Sequence, residues 1–151
     1  MELNEFKDWL SSYTDPDKCI EAFYNQKQFF RVNTIKMRVD RFLRTTKIKC
    51  KQTQFYDAAF ELEENIQIGK TWEYFLGYLY PQSLPSILVS LVLSPQLTTH
   101  ALQPIVLDVA AAPGSKLSHL SMLMQNSGTL IGNDFKKEKI SSLYATINRM
   151  N

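Results

Sequence analysis

Apolar positions at Leu3, Phe6, Trp9 and Leu10 recur at helical spacing and predict a short amphipathic helix over residues 3–10. Asp15-Pro16 breaks that pattern, and a second helix is expected over 17–24. Residues 29–35, Phe-Phe-Arg-Val-Asn-Thr-Ile, have the aromatic and β-branched content of a strand. A helix is expected over 39–43, a strand within 49–55 and another over 59–62. This mixture of short elements, closed by Gly69, fits a small α+β unit. Beyond it, residues 72–80 read as a helix punctuated by Pro81. Ile87, Leu88, Leu91 and Val92 read as a strongly apolar helix, and residues 95–103 as a loop.

From Pro104 the pattern changes. Ile105-Val106-Leu107 is a short continuous apolar run, as expected of a buried parallel strand, and it ends in Asp108. A small-residue loop follows, and Ser115 is placed to cap a helix carrying Leu117, Leu120, Leu123 and Met124 on one face. Asn126-Ser127-Gly128 closes that helix. Residues 129–132 form a second strand ending at Asn133-Asp134, and Ile140, Leu143, Tyr144 and Ile147 mark a last amphipathic helix. Strand, loop, helix, strand, helix is the opening of a doubly wound, Rossmann-like α/β domain.

Charge adds a second theme. The net charge of +2 conceals a segment, residues 27–51, with nine cations against the single acid Asp40. That segment carries +8, so the remainder sums to −6. Such clustering is the footprint expected for a phosphate backbone, though a solvated basic face has the same composition. Cys19 and Cys50 form no CxxC pair, and His100 and His119 lack metal-ligand spacing, so no metal site is expected. No apolar run approaches the roughly 20 residues that span a bilayer. A soluble, intracellular protein is the expectation, cytoplasmic or nuclear and nucleolar according to the organism.

The loop after the first parallel strand carries the chemistry. A nucleotide cofactor binds such a sheet at the carboxyl ends of its strands. Three alanines and a glycine, Ala110 to Ala112 and Gly114, remove the bulk that would keep it from the backbone. The following helix presents free N–H groups and its positive end to anionic groups. Asp134, at the end of the second strand, can accept hydrogen bonds from ribose hydroxyls. The G-x-G-x-x-G fingerprint and the P-loop Lys-Ser/Thr are missing, which favours S-adenosylmethionine, a cofactor without pyrophosphate. The bland alternative is a βαβ unit whose alanines only pack.

Residues 107–116, Leu-Asp-Val-Ala-Ala-Ala-Pro-Gly-Ser-Lys, resemble the cofactor motif of the RNA 5-methylcytosine methyltransferases of the NOL1/NOP2/Sun (RsmB/NOP2-type) family. Arg31-Val32-Asn33-Thr34-Ile35-Lys36 is similar to that family's Arg-x-Asn-Thr-Leu-Lys segment, and residues 68–71, 77–78, 82–83 and 148–151 resemble further stretches. Departures are Ala110 where the family often has cysteine, Leu117 where threonine often follows the lysine, and Pro81 and Leu84-Pro85 next to the core. The resemblance implies a class I methyltransferase sheet preceded by a small α+β RNA-binding domain. It divides the chain into a helical extension (1–26), a basic domain (27–68) and a methyltransferase domain (69–151).

By the same resemblance, Ala110, Ala111, Ala112, Pro113, Gly114, Ser115, Lys116 and Asp134 hold S-adenosylmethionine. Arg31, Asn33, Lys36, Arg38, Arg41 and Arg44 are the candidates for RNA contact. The implied activity is methylation of cytosine C5 in ribosomal or transfer RNA. The alternative is an RNA-binding or ribosome-assembly factor without catalysis. The family's catalytic cysteines have no counterpart among these residues, so no catalytic residue is assigned. A truncated domain, or one whose sheet a second chain or further C-terminal part completes, is the corresponding expectation.

Overall fold

Two sheets of opposite character organise the chain, for which the computed structural model describes residues 2–98 and 103–150. The first is antiparallel, in the order β2-β3-β1-β4, built from β1 (Phe29–Val32), β2 (Cys50–Gln52), β3 (Ala59–Leu62) and β4 (Leu79–Pro81). Phe30 lies directly opposite Phe60 in the β1–β3 register, and the two rings stack at 5.5 Å. Helix α3 (Val39–Thr45) adds Phe42 to this pair, and all three rings are buried with Val32, Leu79 and Ile68. Three aromatic side chains in mutual contact bury enough apolar area to anchor so small a sheet.

Helices α1 (Leu3–Ser11) and α2 (Pro16–Tyr24) pack on each other ahead of this sheet. Asp15-Pro16, expected only as a break, starts α2. The Asp15 carboxylate accepts from the Asp17 and Lys18 amides, and Pro16 takes the first helical position, where its missing N–H costs nothing.

The second sheet is a parallel pair, β5 (Ile105–Asp108) and β6 (Thr129–Gly132). Each strand leads into a helix, α6 (Ser115–Leu123) and α7 (Lys137–Met150). Leu117 of α6 and Leu143 of α7 meet Ala111 and Leu130 on one face of the pair. The opposite face is open. Ile105, Leu107 and Ile131 are exposed there, so these strands are parallel but buried on one side only, against the expectation of two-sided burial.

Three expectations are corrected. Residues 72–80 do not form one helix: α4 (Trp72–Phe75) stops after a single turn. Gly77, at φ +73°, donates to the Tyr74 carbonyl, and Tyr78 donates to Glu73, closing a left-handed C-terminal motif that turns the chain into β4. The antiparallel sheet thus extends past residue 68. Pro95 does not end its helix, since α5 (Leu84–Thr98) runs through it. A proline removes one backbone bond without forbidding the turns around it. The rest of the loop expected there, 99–102, lies outside the described residues. Finally, the close of α6 begins one residue earlier than expected, with Gln125 left-handed as well as Asn126 of the expected Asn-Ser-Gly. Among the described residues no helix is long and apolar enough to cross a membrane.

Gly77 has a further duty, because a Cβ there would collide with the Arg149 carbonyl at the end of α7. Gly77→Ala is expected to destabilise the chain by roughly 2 kcal/mol or more. Gly69→Ala, whose Cβ would enter open space, is expected to stay near wild type. Urea midpoints of the two variants check both.

Candidate cofactor loop and the clasp behind it

The loops after β5 and β6 are laced together by backbone and carboxylate hydrogen bonds. Asn133 N–H donates to the Asp108 carbonyl at 2.8 Å, and Ala111 N–H donates to the Asn133 carbonyl at 2.7 Å. Asp108 Oδ1 accepts from the Ala110 amide at 3.2 Å. Asp134 bridges the two loops: Oδ2 accepts from the Ala112 amide at 3.2 Å and Oδ1 from Lys136 N–H at 3.0 Å. The Ala112–Pro113 peptide bond is cis. Gly114, at φ +103°, is the N-cap of α6, so the helix starts at Ser115 rather than being capped by it. A Cβ on Gly114 would lie 2.9 Å from Thr146 Cγ2 of α7, which explains the glycine. Ala110, Pro113 and Lys116 are exposed, and Ala112, Ser115 and Asp134 are half-buried. The predicted cofactor residues therefore converge at the carboxyl ends of two parallel strands.

The predicted RNA-contact residues do not converge, and two are corrected outright. Arg31 is fully buried. Its Nε donates to Gln82 Oε1 at 2.7 Å and its Nη2 to Ser118 Oγ at 2.6 Å, and its guanidinium lies 5.4 Å from the Tyr80 ring centre. Burial lowers its pKa to about 10, which leaves it charged at neutral pH. Asn33 is also buried and donates from Nδ2 to the Gly77 and Met150 carbonyls, at 3.0 and 2.6 Å. Lys36 is exposed, but its ammonium donates to the Arg149 carbonyl at 2.9 Å. A cation and an amide thus satisfy the free carbonyls at the C-terminus of α7, where a helix carries its negative end. Arg149 completes the joint by lying 3.8 Å over the Tyr74 ring. The Arg-x-Asn-x-x-Lys segment is a clasp between the antiparallel sheet and the cofactor-loop unit.

Arg38, at the N-cap of α3, and Arg41 and Arg44 within it are exposed. Arg38 and Arg44 both bond Asp40, at 3.0 and 2.7 Å, and the Arg38 hydrogen bond holds the Asp40 carboxyl below its usual range. Burial pushes the Cys50 thiol up to about 11, with Glu63 and Glu64 adding to it, so this sulfur is a poor thiolate. Sequence reasoning missed Gln82, Ser86, Ser118 and Arg149. The contacts that give them a role, Gln82 and Ser118 to Arg31, Ser86 to Ser115 and Arg149 to Tyr74, join distant segments, and no local spacing signals them.

The parallel pair with its small-residue loop and following helix is a Rossmann-like α/β unit of the kind found in methyltransferases. Residues 91–151 match the sequence model of the family described as 16S rRNA methyltransferase RsmB/F. Ribosomal RNA small subunit methyltransferase F of Shewanella piezotolerans is 31% identical, over 98% of this chain and 32% of that protein. The tRNA (cytosine(49)-C(5))-methyltransferase of Pyrococcus abyssi is 35% identical over 56% of this chain and 26% of that protein. A solved methyltransferase homolog protein from Pyrococcus horikoshii superposes with a TM-score of 0.73 at 28% identity, covering 89% of this chain and 44% of that one. Residues 91–151 carry the match to the RsmB/F methyltransferases, in keeping with the NOL1/NOP2/Sun resemblance of the motifs, and the chain spans about a third of the length of the ribosomal relative.

His119, on the buried side of α6, has no exposed surface. Its Nε2 lies 3.3 Å from Tyr56 Oη, while Nδ1 has no partner among the described residues. Burial, with the charge of Arg31 adding, pushes its pKa down to about 3. The unfolded imidazole titrates near 6.5, so below that pH the unfolded state takes up a proton that the fold refuses. This contribution is complete above pH 6.5 and is lost progressively toward pH 3. Stability is expected to fall by roughly 2 kcal/mol between pH 7 and pH 5. His119→Gln should flatten that slope in denaturant titrations at the two pH values.

Proposed function

We propose that this chain forms the S-adenosylmethionine-binding part of an RNA methyltransferase that modifies cytosine C5, with ribosomal or transfer RNA as substrate. The observation carrying this reading is the loop of residues 109–114, whose backbone is tied to Asp134 at the carboxyl ends of β5 and β6. The residues fit the cofactor. Ala110 to Ala112 carry nothing larger than a methyl group, so a ligand can approach the backbone. Each Asp134 oxygen accepts one hydrogen bond and retains a lone pair for a ribose hydroxyl. Ser115 and Lys116 at the start of α6 offer a hydroxyl and a charge to a carboxylate. The bound cofactor would supply an activated methyl group. What these residues do is bind it, orient it and leave one side of the loop open to an acceptor.

The RNA assignment rests on the family and on the exposed cations of α3 and β2. Arg41 has no carboxylate partner among the described residues, and Lys47, Lys49 and Lys51 are exposed further along the same segment. Arg38 and Arg44 share one acid between them, so the helix keeps a positive surplus for phosphates. In this reading the antiparallel sheet with α3, which β4 extends to Pro81, acts as the basic RNA-binding unit, and the parallel unit that follows it as the cofactor domain. A catalytically silent RNA-binding factor is the competing reading, and it shares this surface while dispensing with the loop.

Calorimetric titration with S-adenosylmethionine is expected to give saturable binding. Asp134→Ala should weaken it about tenfold or more, the loss of hydrogen bonds to a charged acceptor. A folded chain without measurable affinity overturns the cofactor assignment and favours the silent RNA-binding factor. For the basic surface, reversing Arg38, Arg41 and Arg44 to Glu should weaken binding of a structured RNA. It should also lower the salt slope of log affinity by roughly two to three, the number of phosphate contacts removed. An unchanged slope would mean the cations of α3 only keep that face solvated.

A further inference from the structure

Behind the cofactor loop runs a chain of hydrogen bonds with a direction. Arg31 Nε donates to Gln82 Oε1 at 2.7 Å, Gln82 Nε2 donates to Ser86 Oγ at 3.1 Å, and Ser86 Oγ lies 3.3 Å from Ser115 Oγ. A second branch returns from Arg31 Nη2 to Ser118 Oγ at 2.6 Å, and from Ser118 Oγ to the Ser115 carbonyl at 3.3 Å. Both branches end on the first residue of α6. The ring spans β1, the segment after β4, the first turn of α5 and the first turn of α6.

The chemistry of the donors sets the direction. A guanidinium has hydrogens and no acceptor, so the Gln82 oxygen must face Arg31 and its NH₂ must face Ser86. Ser86 Oγ then accepts from Gln82; each hydroxyl keeps a further lone pair, so either oxygen of the Ser86–Ser115 pair can donate, and the relay is complete in the sense where Ser86 gives its hydrogen to Ser115 Oγ. Ser115 Oγ, accepting in turn, keeps its hydrogen for a further acceptor. Ser115 is half-buried at the start of α6, with its remaining hydrogen directed by neither neighbour.

We propose that Arg31, Gln82 and Ser86 are positioning residues that orient the Ser115 hydroxyl as a hydrogen-bond donor to an anionic group of the bound cofactor, its amino-acid carboxylate. This deepens the cofactor reading above and rests on it. It also gives a purpose to a buried charge that has no carboxylate partner among the described residues: a donor-only group fixes the Gln82 amide, whose NH₂ must then face Ser86. Arg31 therefore acts on the cofactor through three side chains.

The test is a double-mutant cycle on the 151-residue chain, read by calorimetric titration with S-adenosylmethionine. Ser115→Ala is expected to weaken binding about tenfold, the cost of one hydrogen bond to a charged group. Ser86→Ala should weaken it roughly threefold to fivefold, and Ser86→Thr, which keeps the hydroxyl, should restore it to within about twofold. The Ser86→Ala/Ser115→Ala double variant should bind no worse than Ser115→Ala alone, because Ser86 acts only through Ser115. Additive losses, or no loss in Ser86→Ala, overturn the relay. A second measurement is independent of the cofactor. The Ser118 amide, which donates to the Gly114 carbonyl at the foot of α6, should exchange at least about threefold faster in Ser86→Ala and Gln82→Ala. Were wild type not to bind the cofactor, the cofactor reading fails, and unchanged exchange at Ser118 sinks the relay separately.

Discussion

Everything in this structure turns on a positive charge kept away from water. Arg31 sits in the middle of the antiparallel sheet, yet its guanidinium is spent on Gln82 just after β4, on Ser118 of α6 and on the ring of Tyr80. Removing an ion from water costs several kcal/mol, and the cost is offset only when its hydrogens are satisfied. Here the acceptors come from the other half of the chain. Separating the two units would strip the guanidinium of Ser118 and leave it Gln82 alone, so this charge ties one unit to the other. Asn33 and Lys36, two and five residues on, extend the same logic to the end of α7.

The cofactor loop inherits its rigidity from both sides. From below, Asp108 and Asp134 tie its amides to the strand ends. From behind, the Arg31 relay reaches Ser115. In front, small residues leave the backbone accessible. This division lets one short segment be well held and still open to a ligand, the arrangement that binding geometry demands. The parallel pair itself is less finished. α6 and α7 pack on the same face, and Ile105, Leu107 and Ile131 remain apolar and exposed on the other.

The basic segment illustrates how one composition serves two ends. Of the six cations and amides expected to meet RNA, Arg31 and Asn33 are interior, and Lys36 caps a helix. The arginines of α3 remain on the surface, two of them sharing Asp40. A count of charges cannot separate these fates, because burial depends on what packs against a strand and not on the strand's own residues.

What the chain alone determined is its local grammar. The apolar runs and their punctuation located β3 and β6 residue for residue, and the spacing of apolar positions located α1, α2 and α7 to within a few residues. The strand-end acids and the alanine-glycine loop marked the candidate site, because backbone approach and ribose binding need those residue types at those places. Where the reading failed, a distant contact had decided. Residues 72–80 became a turn of helix and a strand because Gly77 closes against Arg149 and β4 finds an edge on β1. Arg31 became a clasp rather than a ligand contact because its acceptors stand 51 and 87 residues further along. Hydrophobic period and turn chemistry act between near neighbours, so sequence carries them openly. The satisfaction of a buried charge is settled only when remote segments meet, and it is therefore a property of the tertiary fold.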